Sequence, residues 1–351
     1  MKTTPWPRLL FALPALLFAA APASRAALPE PFVHYTFSDL VSGSIPTNTF
    51  TVNSGTGVGT TGVTGDFNLK IQTASAEIYA VSGAEGSGPF ASGRALDLGL
   101  SSAMNGTAPP VVFNSVQTAL SNCAAMTVTG WVCADEALVN GSYIMRDSAW
   151  RLYFSAAQRM TLQVYDSANT NIPYNSAANA FAAPVGQWQF FAVSWSGADA
   201  QWYAGTETAA PVVSPLVTGA KTMGPPSTLA NSLGRFNGNS GAFKGKFADL
   251  RIYTTALDAA QVAEVYNEIK PPLPVITGFA PPAIEVGGRV VISGSNFTAA
   301  GGAPLVTDVL FDTITTGAGN FTVDSDTQIS VPAVPDGIPD AGDIKLLFAS
   351  G

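Results

Sequence analysis

The stretch that decides the fold is "FKGKFADLRIYTTALDAAQVAEVYNE", residues 243–268. In its first half Ala248, Leu250 and Ile252 alternate with polar side chains, and this period of two predicts a strand with all three apolar residues on one face. After Asp258 the apolar period lengthens to that of a helix. A strand that leads directly into a short helix stands out here, because most of the remaining chain predicts β structure.

The predicted helix has clear start and stop signals. Asp258 is a good N-cap, and Gln261 three residues later completes a capping box. Leu257 and Val262 are placed for a hydrophobic staple, and the Pro pair at 271–272 ends the helix. An i, i+3, i+4, i+7 apolar stripe is formed by Val262, Val265, Tyr266 and Ile269. Because so short a helix is marginal alone, we expect this stripe to dock on the sandwich edge left by the last strand.

Several other segments alternate apolar and polar residues and predict strands. They are "FVHYTFSDL" (32–40), "MTVTGWVCA" (126–134), "AWRLYFS" (149–155), "MTLQVYD" (160–166) and "QWQFFAVSWSG" (187–197). In the third, the apolar residues share one face, with Arg151 and Tyr153 on the opposite one. The Gly/Thr/Asn-rich stretch 42–67 predicts loop and weak edge strand. Short strands separated by turn residues predict an all-β protein built on an antiparallel β-sandwich.

The order of these motifs resembles the LamG-like jelly-roll domain of the concanavalin A-like lectin/glucanase superfamily. The resemblance covers Phe32 to Ile269 and rests on "GRALDLG" (93–99), "MTVTGWV" (126–132), "GQWQFFAVSWSG" (186–197) and "GKFADLRIYTTALDAAQVAEVY" (245–266). It implies an antiparallel jelly roll that ends in a short helix. Two positions depart from the family: Ala248 replaces an acidic residue, and Ala204 replaces a polar one in "WYAG" (202–205), which matches a family turn. Both departures weaken the transfer of a polar ligand or ion site.

A second unit begins after "IKPPLP" (269–274). The segments "GFAPPAIEVGGRVVISGSNF" (278–297) and "DSDTQISVP" (324–332) resemble the IPT/TIG immunoglobulin-like domain, which implies a smaller β-sandwich. That family usually has one more strand after the position of Gly351. Without it, the strand predicted near Asp343–Phe348 has an open edge. Either the sequence is a fragment, or this edge pairs with another segment.

The N-terminus has the pattern of a secretory signal peptide. Lys2 and Arg8 precede the apolar run 9–21, which is too short to span a bilayer, and small residues follow it. We expect cleavage after Ala26, with Ala23 as the alternative. The predicted organisation is therefore a signal peptide at 1–26, a LamG-like jelly roll at 27–270 and an IPT/TIG immunoglobulin-like domain at 271–351. The signal's compact, Ala-rich form indicates a bacterial protein in the periplasm, on the cell surface or secreted.

The composition and net charge of the chain limit the classes of partner that it can bind. The chain has 351 residues, 47% of them hydrophobic and only 11% charged, with a net charge of −8. Loss of the three basic residues of the signal peptide would lower this to −11, and an acidic surface disfavours nucleic acid and anionic membranes. Cys123 and Cys133 lie at opposite ends of a predicted strand, too far apart for a disulfide unless the segment before Met126 folds back.

No residue set predicts catalysis, a bound cofactor or a metal centre. Glycoside hydrolysis needs two carboxylates at a fixed separation, and no predicted strand carries such a set. Glu264 and Glu268 lie on the terminal helix, where a solvated face explains them, while Asp324 and Asp326 fit a turn. His34 is the only histidine, and a structural role in its strand is the favoured interpretation. We therefore expect that the protein is not an enzyme.

Calcium and sugars are the two ligand classes for which the sequence offers candidate residues. The resemblance implies that Ca²⁺ can bind at the sandwich rim, where the candidate oxygens belong to Asp97, Asp147, Asp166, Asp199 and Asp249. Asp249 fits better as a structural partner of Arg251 or of a backbone N–H. The aromatic set that could stack on sugars is Trp131, Trp150, Trp188, Trp195, Trp202, Tyr153 and Tyr203. Large aromatic side chains on strands are expected mostly in the core, Trp188 and Trp195 by the resemblance, and this is the favoured interpretation of the set; Trp202, beside a predicted turn, is the one candidate for an exposed platform.

Three functional hypotheses follow. The favoured one is an exported, non-catalytic binding or adhesion protein that recognises extracellular carbohydrate or protein ligands through the jelly roll. The second is an accessory, carbohydrate-binding region or fragment of a larger polysaccharide-degrading enzyme. The third is a glycosidase within the jelly roll, which would require two acidic side chains facing each other across a cleft.

Overall fold

A computed structural model describes most of the chain. The described residues are 27–40, 43–44, 50–51, 54–56, 68–71, 79–81, 88–91, 94–98, 111–113, 118–182, 184–224, 232–234, 243–269, 273–298, 304–338 and 343–348. The predicted signal peptide, residues 1–26, lies outside them. Among the described residues, no helix combines the length and apolar character required to cross a membrane.

The described residues before 270, called the first unit, are mostly strands, which confirms the all-β prediction. The strands are β1 (Val33–Tyr35), β2 (Gly43–Ser44), β3 (Phe50–Thr51), β4 (Leu69–Ile71), β5 (Tyr79–Val81), β6 (Ala95–Asp97), β7 (Val111–Phe113), β8 (Met126–Ala134), β9 (Ser142–Arg146), β10 (Trp150–Ser155), β11 (Arg159–Tyr165), β12 (Asn171–Asn175), β13 (Trp188–Trp195), β14 (Asp199–Thr206), β15 (Val212–Val213), β16 (Val217–Thr218), β17 (Ser232–Leu233) and β18 (Gly245–Tyr253). The helices are α1 (Thr118–Ser121) and α2 (Ala259–Glu268), and a short 3₁₀ turn covers Pro89–Ala91.

Two antiparallel sheets form the sandwich of the first unit. Within the described residues the first sheet has the order β15-β14-β13-β8-β18-β6-β5-β2, with β1 paired to β18 and β16 to β14. The second sheet has the order β12-β11-β10-β9-β17-β7-β4-β3. The main core lies between them and includes Val128, Phe191 and Leu250 of the first sheet with Leu152 and Leu162 of the second. This arrangement agrees with the predicted jelly-roll sandwich.

The first sheet is buried on both faces. Along β13, Phe191 and Val193 belong to the main core, whereas Phe190 and Ala192 belong to a second apolar cluster on the other side of the sheet. A strand with two buried faces has a nearly continuous apolar sequence, as "WQFFAVSW" does. The second cluster is completed by the stripe of α2.

Helix α2 begins as predicted but docks elsewhere. The capping box is present: the Gln261 amide donates to Asp258 Oδ1 at 2.8 Å, and the Asp258 amide donates to Gln261 Oε1 at 3.1 Å. The apolar stripe packs on Trp131 and Phe190, in the middle strands of the first sheet. The expectation that the helix covers the sandwich edge is therefore wrong. Large apolar side chains on the outer face of β8 and β13 provide the docking surface instead.

A bulge in β18 changes which residues share a face. Asp249 has a φ of 46°, and the pairing of β18 with β8 shifts between Ala248 and Arg251. Leu250 and Ile252 lie in the main core, but Ala248 lies in the cluster beneath α2. The prediction that Ala248 shares their face is wrong, because the bulge inserts one residue and so reverses the alternation.

A C-terminal unit, from residue 273 on, contains a further set of antiparallel strands. They are β19 (Val275–Ala280), β20 (Val290–Ser295), β21 (Val306–Phe311), β22 (Ile314–Thr315), β23 (Thr322–Ser325), β24 (Gln328–Val331) and β25 (Ile344–Phe348). They form two sheets, β19-β20-β24-β23 and β22-β21-β25. Ile292, Val309 and Ile329 are among the residues of their shared core. Within the described residues β25 lies at a sheet edge, and the IPT/TIG resemblance remains a prediction.

Candidate functional site

The outward face of the second sheet carries polar and aromatic side chains rather than an apolar cluster. The inward positions of β10 and β11 are buried, as Leu152 and Leu162 show, while the positions between them point to the other side. The outward side chains Arg151 and Tyr153 are only partly buried. Since α2 covers the first sheet, the candidate ligand surface of the first unit is this outward face.

Five of its residues form what we call the tyrosine–arginine face: Tyr143, Tyr153, Tyr165, Arg146 and Arg151. In the strand register Arg151 lies opposite Arg146, and Tyr153 lies opposite Tyr143. The register of β9 against β10 shifts between these two pairs. A strict period of two would place Tyr143 and Arg146 on opposite faces, but the irregularity places both on the side away from Ile144 and Met145, which enter the main core. Tyr143 is partly buried there, whereas Arg146 is fully buried.

Ring and guanidinium contacts order this face. The Tyr143 and Tyr153 rings have centroids 5.0 Å apart at an interplanar angle of 30°. The Arg151 guanidinium carbon lies 4.5 Å from the centroid of the Tyr165 ring, a cation–π contact. The Tyr165 hydroxyl donates to Gln163 Oε1 at 2.7 Å. These contacts hold flat surfaces and hydrogen-bonding groups side by side, which is the composition of a ligand site.

Charges on the tyrosine–arginine face influence one another. Burial, together with the positive charge of Arg151, lowers the pKa of the Arg146 guanidinium. Burial raises the pKa of the Tyr153 and Tyr165 hydroxyls. Both tyrosines are therefore neutral at physiological pH, and the formal charge of the face comes from its arginines.

Beside these residues lies a row of smaller polar groups from β11 and β12. Gln163 Nε2 donates to Asn171 Oδ1 at 2.7 Å, and Thr161 Oγ1 donates to Asn175 Oδ1 at 2.7 Å. Asn171 is exposed. Amides and hydroxyls of this kind can exchange hydrogen bonds with sugar hydroxyl groups.

The predicted calcium oxygens are not brought together. Asp97 lies 3.9 Å from the ammonium of Lys246, and Asp166 pairs with Lys221 at 2.5 Å. Asp199 begins β14, and its backbone carbonyl accepts a hydrogen bond from the Ser196 amide. In the part of the chain that the structure describes, no group of three or more His, Cys, Asp or Glu residues could hold a metal ion. Asp97 and Asp166 thus each lie near a lysine ammonium.

Asp147 is buried with neutral partners. It accepts hydrogen bonds from the Ser121 hydroxyl at 2.7 Å and from the Ala149 amide at 2.9 Å. Burial raises the pKa of this carboxyl to about 6, although these hydrogen bonds oppose the shift. A carboxylate so placed is a structural group whose charge costs stability near neutral pH.

His34 and Asp249 take part in a network that ties α2 to the first sheet. His34 Nε2 lies 2.7 Å from Asp249 Oδ1, and Arg251 Nη2 lies 3.0 Å from the same oxygen. Arg251 also pairs with Glu268 at the end of α2. The predicted partnership of Asp249 with Arg251 is confirmed. Glu268 is exposed, as expected for a solvated helix face, and in addition it contacts this buried guanidinium on the sheet.

Trp202 is not an exposed platform. It lies inside β14 with no exposed surface, packs on Phe181, and its Nε1 donates to the Tyr174 carbonyl at 3.2 Å. The segment "WYAG" is thus strand rather than turn, and Trp202 belongs to the core, which was the favoured interpretation of the aromatic set. Trp188 and Trp195 are buried as expected. Of the aromatic set named from the sequence, Tyr153 is the member that reaches the outward face.

A cavity of about 380 Å³ lies at one end of the sandwich and is lined in part by Cys123, Lys221 and Met223. Cys123 Sγ lies 3.6 Å from Met223 Sδ. Burial raises the pKa of the Cys123 thiol to about 12, so this thiol is protonated and a poor nucleophile. Both cysteines are free, as predicted.

Solved structures show distant likenesses. Domain 4 of AbnA, a GH43 extracellular arabinanase from Geobacillus stearothermophilus in complex with arabinotriose, is 19% identical over 67% of this chain and 98% of its own, with a TM-score of 0.44. The Ruminococcus gnavus IT-sialidase CBM40 bound to α2,3-sialyllactose is 10% identical over 42% and 84%, at 0.34. The binding domain of Paraclostridial Mosquitocidal Protein 1 is 12% identical over 88% and 75%, at 0.44.

No curated protein matches the chain at a significant level. Residues 105–263, however, match the family model Laminin_G_3, described as the concanavalin A-like lectin/glucanases superfamily. The match spans β7 to β18 and the first half of α2, so it includes the strands that carry the tyrosine–arginine face.

Proposed function

We propose that the protein is an exported, non-catalytic binding protein whose first unit recognises extracellular carbohydrate through the tyrosine–arginine face. The observation that carries this proposal is the pairing of the partly exposed Tyr143 and Tyr153 rings with a row of amides and hydroxyls on the outward face of the second sheet. Sugar rings present apolar C–H faces and polar edges, and such a surface offers a partner for each.

The side chains on this face favour binding over hydrolysis. The outward positions described in β9 to β12 are occupied by Tyr, Arg, Ser, Thr, Gln, Asn and Pro. A glycosidase would need two carboxylates flanking the scissile bond. The proposed organisation is a signal peptide at 1–26, a jelly roll at 27–270 and an IPT/TIG-like spacer at 271–351. Export places the protein in the periplasm, on the cell surface or in the medium.

The same binding role would suit an accessory region of a larger polysaccharide-degrading enzyme. The tandem arrangement of two unlike β units supports this second candidate. Coding sequence for a catalytic domain downstream of residue 351 would favour it, and a stop codon at that point would count against it.

A glycan array tests the proposal. The purified protein is applied with and without a calcium chelator, beside a Tyr153→Ala variant and a Val212→Ala control, since Val212 is exposed on the edge of the first sheet. We expect saccharide binding that survives chelation, persists in the control and falls at least 10-fold in Tyr153→Ala. Binding to no saccharide, or full binding by the folded Tyr153→Ala variant, would contradict the proposal and favour a protein ligand.

A further inference from the structure

Four outward residues of the second sheet form a straight row across its strands, which we call the cross-strand row. From β9 to β12 they are Tyr143, Tyr153, Thr161 and Asn175, each opposite the next in the strand register. Both tyrosines and Asn175 are partly exposed, whereas Thr161 is buried. Neighbouring strands lie about 4.8 Å apart, so the row is about 14 Å long.

The two ends of the cross-strand row offer different contacts. At one end the Tyr143 and Tyr153 rings, with centroids 5.0 Å apart, supply an aromatic surface. At the other end Asn175 Oδ1 accepts a hydrogen bond from Thr161 Oγ1 at 2.7 Å. Because this oxygen is engaged within the protein, Nδ2 is the group that the Asn175 amide offers to a ligand. The buried Thr161 is therefore a positioning residue for Asn175.

The length of the row sets a minimum size for a ligand that uses both ends. Tyr153 and Asn175 lie two strands apart, which corresponds to about 10 Å. One sugar ring is shorter than this distance, so a monosaccharide on the tyrosine rings does not reach the Asn175 amide. A saccharide chain repeats an apolar ring face and hydroxyl oxygens along its length. One ring can thus pack on the tyrosines while a later ring accepts a hydrogen bond from Asn175 Nδ2.

We infer that the ligand is a saccharide chain of at least three sugar residues that lies across strands β9 to β12 along the cross-strand row. This inference rests on the proposed carbohydrate function and specifies the size and direction of its ligand. A chain that ran along β12 instead would meet Asn171 and Asn175, about 13 Å apart on the outward side of that strand. It would leave the Tyr153 ring two strands away, and the aromatic surface would then contribute nothing.

A series of chain lengths tests the inference. Cello-, xylo- and manno-oligosaccharides of one to six residues are titrated into the protein by isothermal titration calorimetry. In at least one series we expect the Kd to fall about 3- to 10-fold from the disaccharide to the tetrasaccharide, because one further hydrogen bond forms. Longer chains should add little, because the row is then fully spanned. Val212→Ala, on the edge of the first sheet, should show the same dependence as the unchanged protein.

Variants assign the gain in affinity to one end of the row. Asn175→Ala should remove the gain while keeping the disaccharide affinity, and Thr161→Val should weaken the gain because the Asn175 amide loses its positioning partner. Asn171→Ala is the matched comparison, since Asn171 lies on the same side of β12 and its Oδ1 also accepts a hydrogen bond from β11, from Gln163. Its ratio of tetrasaccharide to disaccharide affinity should equal that of the unchanged protein. Circular dichroism melting curves confirm that each variant is folded.

Three results would overturn the inference: an affinity that does not depend on chain length, no binding in any of the three series, or a gain that Asn175→Ala and Asn171→Ala change equally. Tyr153-dependent binding on the glycan array would then leave the proposed carbohydrate function standing while refuting the extended ligand. Loss of all array binding would remove both.

Discussion

Tyr266 should account for much of the free energy that holds α2 against the first sheet. Its side chain is 1% exposed. The ring stacks on Trp131 with centroids 5.4 Å apart, meets Phe190 edge-on at 5.4 Å, and its hydroxyl donates to the Thr206 carbonyl at 2.7 Å. Replacement by Ala removes all three contacts and leaves a cavity between helix and sheet.

The magnitude can be divided between hydroxyl and ring. Tyr266→Phe loses one hydrogen bond and should lower the free energy of unfolding by about 1 kcal/mol. Tyr266→Ala also loses the buried ring, which costs roughly 3–5 kcal/mol in comparable cores. Since small domains are stable by only about 5–15 kcal/mol, the Ala variant should be close to unfolding in water.

Urea titration monitored by tryptophan fluorescence measures these values. Five of the six Trp residues lie between 131 and 202, and the sixth, Trp6, lies in the predicted signal peptide, so the fluorescence of the processed protein reports on the first unit. Asn267→Ala is the matched control, because Asn267 is an exposed neighbour on the same helix, and it should change stability by less than about 0.5 kcal/mol. A Tyr266→Ala variant no less stable than Asn267→Ala would refute the docking of α2 on the outer face of the sheet.

Four further substitutions test other parts of the structure. Burial raises the Asp147 pKa to about 6, above its unfolded value, so ionisation lowers the free energy of unfolding as pH rises from about 4 to 6. In urea titrations, the free energy of unfolding of Asp147→Asn, relative to that of the unchanged protein, should therefore rise by about 2–3 kcal/mol between pH 4 and pH 7. A pH-independent difference would contradict this. Gly245 has a φ of 143°, and a Cβ at this position would lie 2.1 Å from the Cys133 carbonyl oxygen. Gly245→Ala should therefore lower the melting temperature by several degrees. An unchanged melting temperature would be inconsistent with the pairing of β18 to β8. Asp249→Ala should lower the free energy of unfolding by about 3 kcal/mol, because it leaves the buried Arg251 without this carboxylate. Glu268→Gln, at the exposed end of the same network, should lower it by less than about 1 kcal/mol. Equal losses in urea titrations would argue against the network.

Much of the fold could be predicted from local sequence pattern. The strand at 126–134 and the capping box at Asp258 are local features, because alternation, N-cap chemistry and Pro stops depend on neighbouring residues. Docking of α2 could not be predicted in the same way. It depends on Trp131 and Phe190, which are distant in sequence and reach the outer face only once their strands pair.

The candidate site depends on irregularities that a regular alternation hides. The alternation in residues 149–155 correctly placed Arg151 and Tyr153 opposite the apolar face of their strand, and it is the sequence pattern from which this part of the site could be predicted. Tyr143 and Arg146 join them only because the β9 register shifts, and no local residue pattern announced that shift. The bulge at Asp249 misled the assignment of Ala248 for the same physical reason.

Hydrogen–deuterium exchange tests the central claim, binding through the tyrosine–arginine face, most directly. The protein is compared alone and saturated with the strongest saccharide of the array. We expect slower exchange on binding in peptides that cover β9 to β12, residues 142–175, and no change in α2, residues 259–268. Protection confined to the cavity around Cys123 and Met223, or to the C-terminal unit, would contradict it.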